Sequence, residues 1–304
     1  MSHYSFIGAA SGWGAQIREC EQGPEILREE KVIEELRNRK FPVGDIQMLY
    51  PEKRAKETFI PLSDVLTLIH KFNLHLADEV EKVLEEGGFP IVLGGDHSIA
   101  VGTWNGAYQF FKKKPELPMG LIWVDAHMDA HTSQTSPSGA WHGMPLAGLM
   151  GFGDVAMSQL KQSDPILLPE NLCLVGARSF EEGELDLLKR LNVRIYFADE
   201  VEKRGIEEVF KEAISYVTRK AKIFGVSLDL DVICPEEAPG VGSREKGGIH
   251  AKDLICALAP LSKNKQFKVF ELVEYNPIRN HHKQTAKLCV EILSSVLASS
   301  SQGP

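Results

Sequence analysis

Short apolar runs alternate with longer amphipathic segments along the chain. Each run is rich in Val, Ile, Leu or Phe and is followed by turn or polar residues, a pattern typical of parallel strands that are buried on both faces. The pattern predicts strands in six segments: Tyr4–Ile7, Pro90–Leu93, Leu121–Val124, Leu172–Val175, Ile223–Leu228 and Phe267–Val273.

Helical periodicity fills the intervals between these runs. Segment Ser63–Glu86 has apolar residues at three- and four-residue spacing, begins with a serine suited to capping, and stops at Gly87-Gly88, a pair that ends helices. Glu181–Leu191, Ile206–Ala221 and Lys283–Leu297 have similar patterns. Strands that alternate with helices predict an α/β fold, in which helices cover both faces of a mostly parallel sheet.

The chain shows no internal repeat, low-complexity tract or Pro/Gly/Ser linker that would divide it. We therefore expect residues 1–304 to form a single catalytic domain. Two polar loops, Met48–Thr58 and Ala130–Gly143, are longer than most connections, which indicates a functional role for them.

Composition narrows the choice of partners and compartment. A formal net charge of -8 and a pI of about 5.7 argue against nucleic-acid or anionic-membrane partners. No apolar stretch approaches the ~20 residues that span a bilayer, and the first residues lack the layout of a secretory signal. Five dispersed cysteines favour a reducing compartment over a disulfide framework, so we expect a cytoplasmic protein.

Histidines and aspartates follow three of the predicted strands. The segments are Gly94–Ser98 after the second run, Asp125–Asp129 after the third, and Asp229–Asp231 after the fifth. Ligands of open α/β sheets bind beyond the carboxyl ends of the strands, so these side chains are expected at one edge of the sheet.

The spacing of these side chains favours a metal centre. Residues two apart point to the same side of extended chain, which predicts that Asp125, His127 and Asp129 converge, as do Asp229 and Asp231. Several carboxylates without a lysine or arginine in the motifs would repel one another, and divalent cations relieve that repulsion. A set of six ligands, rich in oxygen and with one imidazole per ion, favours two Mn²⁺ ions over structural zinc. Two such ions activate a shared water, which indicates a hydrolase.

The motif set as a whole resembles the ureohydrolase family, which contains arginases and agmatinases. The resemblance rests on Gly94-Gly95-Asp96-His97-Ser98, Asp125-Ala126-His127-Met128-Asp129 and Ser227-Leu228-Asp229-Leu230-Asp231, in the family's order. An early Glu21-x-Gly23-Pro24 with Leu27-Arg28 and a late Glu274-Tyr275-Asn276-Pro277 also match. The resemblance spans nearly the whole chain, and among the members it is strongest to bacterial arginases.

The resemblance implies a three-layer α/β/α domain with a dinuclear manganese site. One ion would be held by His97, Asp125, Asp129 and Asp229. The other would be held by His127, Asp125, Asp229 and Asp231, so that two of the aspartates bridge. It also implies a homo-oligomer, either a trimer or a hexamer.

For the substrate, the resemblance implies L-arginine, hydrolysed to L-ornithine and urea by attack of a metal-bridging hydroxide on the guanidinium carbon. Ser138 would bind the α-carboxylate and Glu181 the α-amino group. Three residues would act in catalysis: Asp129 passes a proton to the leaving amine, His142 relays protons, and Glu274 pairs with the guanidinium.

Five positions depart from the arginase pattern. His131, at a substrate-binding position, and Ala140 replace asparagines, and Glu181 stands where an aspartate is usual. Cys234-Pro235 replaces Asp-Pro, and Val241 stands where a threonine is expected. These departures leave open another ureohydrolase, namely an agmatinase, a guanidino-acid hydrolase or a formimidoylglutamase. A non-catalytic, metal-stabilised subunit is a further alternative. Cys234 is either a redox-sensitive thiol or a buried inert one.

Overall fold

The computed structural model describes residues 4–54, 62–115 and 118–297. Within these ranges eight strands form one sheet in which every pairing is parallel. The strands are Tyr4–Ala9 (β1), Val43–Leu49 (β2), Phe89–Gly94 (β3), Met119–Val124 (β4), Leu172–Ala177 (β5), Arg194–Phe197 (β6), Ile223–Asp229 (β7) and Phe267–Val273 (β8).

Eleven α-helices and several short 3₁₀ turns connect the strands in the described part of the chain. The helices are Gly23–Glu29 (α1), Val32–Asn38 (α2), Leu62–Glu85 (α3), Ala100–Phe111 (α4), Pro145–Leu149 (α5), Val155–Ser158 (α6), Glu182–Arg190 (α7), Ala198–Arg204 (α8), Ile206–Val217 (α9), Ala251–Leu258 (α10) and Gln284–Val296 (α11). None of the helices described is long and apolar enough to cross a membrane.

The strand order is β2-β1-β3-β8-β7-β4-β5-β6. The chain passes from β3 to β4 before β7 and β8 fill the two places between them. Four adjacent central strands, β3, β8, β7 and β4, therefore end at one edge of the sheet. The three motif-bearing strands predicted from the sequence are among them.

Two hydrophobic clusters lie on opposite faces of this sheet. On β3, Ile91 and Leu93 pack with α1, α2 and α8 to α11, whereas the intervening Val92 packs with α3, α4, α5 and α7. Alternating strand residues point to opposite faces, so each face is covered by helices. This arrangement confirms the predicted three-layer α/β/α fold.

The six predicted strands are all present, but two others were missed. The missed strands, β2 and β6, are the two edges of the sheet. An edge strand is covered less completely, and the burial of β2 alternates with exposure along its length. Such strands lack the continuous apolar run on which the prediction relied.

Helix bounds differ from the prediction by a few residues. Helix α3 begins at Leu62, so Ser63 lies within its first turn, and α9 ends at Val217 rather than at Ala221. Lys283 adopts a left-handed φ of 59° and precedes α11 rather than beginning it. The predicted loop Met48–Thr58 begins later, because β2 extends to Leu49, and its residues 55–58 lie outside the described ranges.

Candidate active site

Side chains that follow the four central strands meet at one edge of the sheet. His97 lies in a 3₁₀ turn after β3, the segment Asp125–Asp129 follows β4, Asp229 ends β7, and Asp231 lies in the next turn. Glu274 directly follows β8. The sequence motifs are thus brought together by the order of the strands rather than by proximity along the chain.

A first cluster of possible metal ligands surrounds His97, which is fully buried. Its Nδ1 lies 3.2 Å from Asp125 Oδ2, 3.0 Å from Asp129 Oδ2 and 3.3 Å from Asp229 Oδ2. Burial disfavours the imidazolium, but these carboxylates outweigh that effect and raise the pKa of His97 well above its usual value. Three carboxylates that face one buried nitrogen form a set suited to a cation.

The hydrogen bonds behind His97 fix its tautomer. Ser227 Oγ donates to Glu271 Oε1 at 2.7 Å, so at 2.8 Å it accepts from His97 Nε2–H. In the neutral ring Nδ1 therefore carries no proton, and it has no hydrogen-bond partner among the described residues. A bare imidazole nitrogen aimed at carboxylate oxygens is unfavourable unless a metal ion lies between them. The donor set therefore fits a divalent metal.

A second cluster forms around His127. Its Nδ1 lies 3.0 Å from Asp231 Oδ2 and 3.5 Å from Asp125 Oδ1, and its Nε2 lies 3.5 Å from Glu245 Oε1. Asp125 faces His97 through Oδ2 and His127 through Oδ1, so it belongs to both clusters. Asp229, also expected to bridge, groups with the first cluster, and its Oδ1 accepts from the Asp231 N–H at 2.8 Å.

The six predicted ligands converge, although not by the extended geometry expected from the sequence. Strand β4 ends at Val124, and Asp129 has a left-handed φ of 49° that turns its side chain back towards His97. Asp231 likewise lies in a 3₁₀ turn rather than in extended chain. The spacing argument thus predicted the convergence but not the backbone that produces it.

Both clusters open into a cavity of about 150 Å³. The predicted loop Ala130–Gly143 forms part of its wall. The cavity is lined by His127, Asp129, His131, Ser136, Pro137, Ser138, Ala140, His142, Gly143, Glu181, Glu184, Asp229, Asp231, Ser243 and Glu274. Every predicted catalytic and substrate-binding residue is therefore on this cavity.

His142 and Glu274 form an ion pair beside the metal-ligand clusters. His142 Nδ1 lies 2.8 Å from Glu274 Oε1, and the side chain of His142 is 27% exposed whereas that of Glu274 is buried. Burial opposes the charge on His142, but Glu274, Asp96 and Asp129 outweigh it and raise the pKa of His142 to about 9. A partly exposed imidazole joined to a buried carboxylate can move protons between the cavity and solvent.

His131 contacts both glutamates at the predicted amino-acid-binding part of the cavity. Its Nε2 lies 2.9 Å from Glu181 Oε2 and 3.5 Å from Glu184 Oε1. Burial raises the pKa of Glu184 to about 8, even though the backbone N–H groups of Glu181 and Ala130 stabilise its charged form. The arginase asparagine is thus replaced by an imidazole that is already bonded to the residue expected to hold the α-amino group.

Two departures from the arginase pattern have clear structural outcomes. Val241, which stands where a threonine is expected, is buried and forms a β-bridge with Tyr275. Ser243, two residues later, lines the cavity. Cys234 is partly exposed, its Sγ lies 3.3 Å from the Gly248 carbonyl, and burial raises its pKa. A thiol with a raised pKa is less reactive, which agrees with an inert Cys234, but the expectation that it is buried was wrong, since the residue is partly exposed.

Several residues that support the site were missed by the sequence interpretation. Asp96 accepts from the backbone N–H groups of Gly14, Ala15 and Ser98 and so holds the turn that carries His97. The Trp123 indole donates to Asp125 Oδ2 at 3.0 Å and stacks on the His97 ring. Asp96 lies inside the motif Gly94–Ser98, so the sequence carried a signal for it. Trp123 lies in an apolar strand sequence that indicated only burial.

Comparison with known proteins defines the family. A model of the arginase family matches residues 2–298. The chain belongs to the arginase family. This member is 36% identical to an arginase of Bacillus caldovelox, covering 97% of this chain and 98% of the relative. It is 37% identical to an arginase of Bacillus subtilis, covering 96% and 97% of the two chains.

Solved structures agree with this assignment. The crystal structure of arginase from Bacillus subtilis superimposes on this arginase-family fold with a TM-score of 0.88, at 35% identity, covering 98% of this chain and 99% of that one. The predicted ureohydrolase family is thus confirmed, and the protein is an arginase-type amidine hydrolase. Membership of an enzyme family disfavours the non-catalytic alternative.

Proposed function

We propose that this protein hydrolyses L-arginine to L-ornithine and urea with two Mn²⁺ ions. The observation that carries the proposal is the shared cavity. The two His/Asp clusters, the His142–Glu274 pair and the polar residues Ser138, His131 and Glu181 all face it. Similarity to bacterial arginases over nearly the whole chain supports the choice of substrate.

The six predicted ligands provide the donors for two ions. One ion would be held by His97, Asp125, Asp129 and Asp229, and the other by His127, Asp125, Asp229 and Asp231. The oxygen-rich set with one imidazole per ion favours Mn²⁺. When bound, two such ions would lower the pKa of water and so supply hydroxide near neutral pH.

The protein's own residues bind the guanidinium and move protons. The buried Glu274 carboxylate lines the cavity, and its negative charge attracts and orients the cationic guanidinium. Asp129 passes a proton to the leaving amine from within the first cluster. His142 exchanges protons with solvent, which its partial exposure permits.

The amino-acid end of the substrate would be bound by Ser138, His131 and Glu181. A second candidate substrate is another guanidino or formimino compound. Two features favour such a compound. His131 Nε2 is already bonded to Glu181, and Ala140 offers no polar side chain to a substrate carboxylate. Agmatine, a guanidino acid and formiminoglutamate belong to this class.

A substrate panel tests the proposal. Protein loaded with Mn²⁺ would be assayed for urea release from L-arginine, agmatine, guanidinobutyrate and homoarginine, and for formamide release from formiminoglutamate. We expect the highest kcat/KM with L-arginine. A higher kcat/KM with another compound would replace the substrate while keeping the site.

Double replacement His131→Asn with Ala140→Asn provides a matched comparison for the substrate question. If the wild type is an arginase that tolerates His131 and Ala140 beside the amino-acid end of the substrate, the double variant keeps L-arginine as its best substrate. If L-arginine turnover appears only in the double variant, the wild-type substrate is a different guanidino or formimino compound.

Three further predictions complete the proposal: residues 1–304 act as one catalytic domain, the protein is cytoplasmic, and it is a homo-oligomer, either a trimer or a hexamer. Light scattering coupled to size exclusion would give a mass of three or six 33.8 kDa subunits. A monomeric mass would contradict the predicted assembly without affecting the proposed chemistry.

A further inference from the structure

Cys20 contacts the cavity carboxylate from behind. It lies in the 3₁₀ turn Arg18–Gln22 before α1 and is fully buried. Its Sγ donates to Glu274 Oε2 at 3.2 Å, although 254 positions separate the two residues along the chain. The sequence interpretation gave this cysteine no role.

The two oxygens of Glu274 have different donors. Oε1 accepts from the His97 backbone N–H at 2.9 Å and lies 2.8 Å from His142 Nδ1. Within the described part of the chain, the Cys20 thiol is the hydrogen-bond donor that reaches Oε2. Three donors from separate segments thus fix the rotation of one carboxylate.

Gly242 closes the space around Oε2 on another side. A Cβ atom on Gly242 would lie 2.3 Å from Glu274 Oε2 and 3.2 Å from Cys20 Sγ. Oε2 therefore lies in a narrow niche between the thiol and the Gly242 backbone. Hydrogen bonds from Glu274 N to the Gly95 carbonyl and from Gly242 N to the Glu274 carbonyl hold the main chain beside this niche.

The Glu274 backbone increases the need for such support. Its φ of 64° lies in the left-handed region, which is unfavourable for a residue other than glycine. A carboxylate carried on such a backbone is oriented by its surroundings rather than by local preference.

We propose that Cys20 is a positioning residue for the hydrolysis: its thiol holds Glu274 Oε2 so that Oε1 stays on His142 and the carboxylate faces the guanidinium. This inference rests on the role proposed above for Glu274. Burial and the nearby Glu274 raise the pKa of the Cys20 thiol well above its usual value, so the thiol keeps the proton that it donates.

Packing alone is the competing explanation, because a buried cysteine often acts as a small apolar side chain. The two explanations predict opposite effects of serine. If the hydrogen bond is what matters, serine at position 20 restores the donor and preserves activity. If packing alone matters, the serine hydroxyl is unfavourable in an apolar core. Cys289 provides the matched control, since it is also fully buried, lies in α11 within a hydrophobic cluster and does not line the cavity.

The test compares Cys20→Ala, Cys20→Ser, Cys289→Ala and Cys289→Ser as Mn²⁺-loaded full-length proteins. We expect Cys20→Ala to lower kcat/KM about fivefold, mainly through KM, which corresponds to about 1 kcal/mol for one lost hydrogen bond. Cys20→Ser should stay within about twofold of the wild type, because the serine hydroxyl replaces the hydrogen-bond donor that alanine lacks. The two Cys289 variants should keep wild-type kinetics, with serine lowering Tm more than alanine.

Wild-type kinetics for Cys20→Ala, or equal impairment of Cys20→Ala and Cys20→Ser, would overturn the inference. If Cys20→Ala does not fold, Cys20→Val supplies a second variant without a donor. Crystal structures of the Cys20 variants give a readout that does not depend on the substrate. If the wild type hydrolyses no guanidino compound, the proposed function fails, yet rotation of Glu274 in Cys20→Ala but not in Cys20→Ser still supports the positioning role.

Discussion

The His142–Glu274 pair shows how burial and charge act on single residues in this site. Glu274 is buried and accepts from the His97 backbone, while His142 keeps partial contact with solvent. Since the two side chains come from segments 132 positions apart, their pairing depends on the fold as well as on their chemistry.

Replacement of His142 by asparagine tests the proton relay. We expect kcat to fall by about 100-fold, a typical loss when a general acid–base group is removed, with metal content unchanged. Steady-state kinetics and metal analysis give the two quantities. His75→Asn, at a side chain that is 53% exposed on α3, is the control and should keep wild-type kcat. A kcat of His142→Asn within twofold of the wild type would exclude the relay.

Glu274→Gln should lower the pKa of His142. The carboxylate stabilises the imidazolium, so its loss removes the main factor that raises the pKa to about 9. In the metal-free protein the imidazole signals would be titrated by NMR. The pair stabilises the folded state below the usual histidine pKa and ceases to do so as pH rises through about 9, so the stability difference between wild type and variant should shrink over that range.

An internal control comes from His250, which pairs with Glu237 at 2.8 Å on the surface. Its titration should be the same in wild type and in Glu274→Gln. An unchanged pKa of His142 in the variant would mean that Asp96 and Asp129, rather than Glu274, set its value.

Ser227→Ala tests the residues behind the first metal-ligand cluster. Without the Ser227 hydroxyl, Glu271 no longer fixes the tautomer of His97, and loss of such a partner typically weakens metal affinity by about 10–100-fold. Calorimetric titration with Mn²⁺ measures this, and Ser215→Ala on α9 serves as the control. Equal Mn²⁺ affinity in wild type and Ser227→Ala would show that the tautomer needs no such support.

At the level of elements, the central strands bring the site together and also restrict which residues the sheet accepts. Strand β7 is buried along its entire length, between β8 and β4. Trp104 of α4 lies directly over Gly225 of β7, and its indole donates to Glu271 on β8. The helix layer is thus tied to the strands that carry the metal-ligand clusters.

Gly225→Ala should destabilise the protein. A Cβ at this position would lie 2.2 Å from Trp104 Cζ3, so α4 or β7 must shift, and overpacking of this kind typically costs about 1–3 kcal/mol. Denaturant unfolding measures the loss. Gly143→Ala, where an added Cβ meets no atom within 4 Å, should leave stability unchanged. Equal stability of the two variants would contradict the close packing of Trp104.

At the level of the whole molecule, the two metal-ligand clusters place several buried carboxylates within a small volume. Burial, together with repulsion from Asp125, raises the pKa of Asp129 to about 6. An ion that neutralises these charges binds the folded state and not the unfolded chain, so metal binding and stability are coupled.

Removal of metal should therefore lower Tm. At a free Mn²⁺ concentration of about 1,000 times Kd the linkage amounts to about 4 kcal/mol, or roughly 5–15 °C for a chain of this size. Calorimetry with a chelator, followed by return of Mn²⁺, measures the shift. A Tm that does not respond to Mn²⁺ would contradict the metal centre itself.

The sequence by itself determined the α/β class and the six inner strands, and it identified the six His and Asp residues that the fold brings together. Burial on both faces makes inner strands continuously apolar, and the motifs sit directly behind them, so local patterns carry this information. The edge strands β2 and β6 were missed, because partial exposure interrupts their apolar runs.

Tertiary structure alone decided which distant residues meet. The left-handed turn at Asp129, the Ser227–Glu271 support of His97, and the contact of Cys20 with Glu274 each depend on strand order and on packing across the sheet. The same holds for the contact of His131 with Glu181, which places two departures from the arginase pattern against each other. No spacing along the chain encodes such contacts, because they form between segments that only the folded sheet brings together.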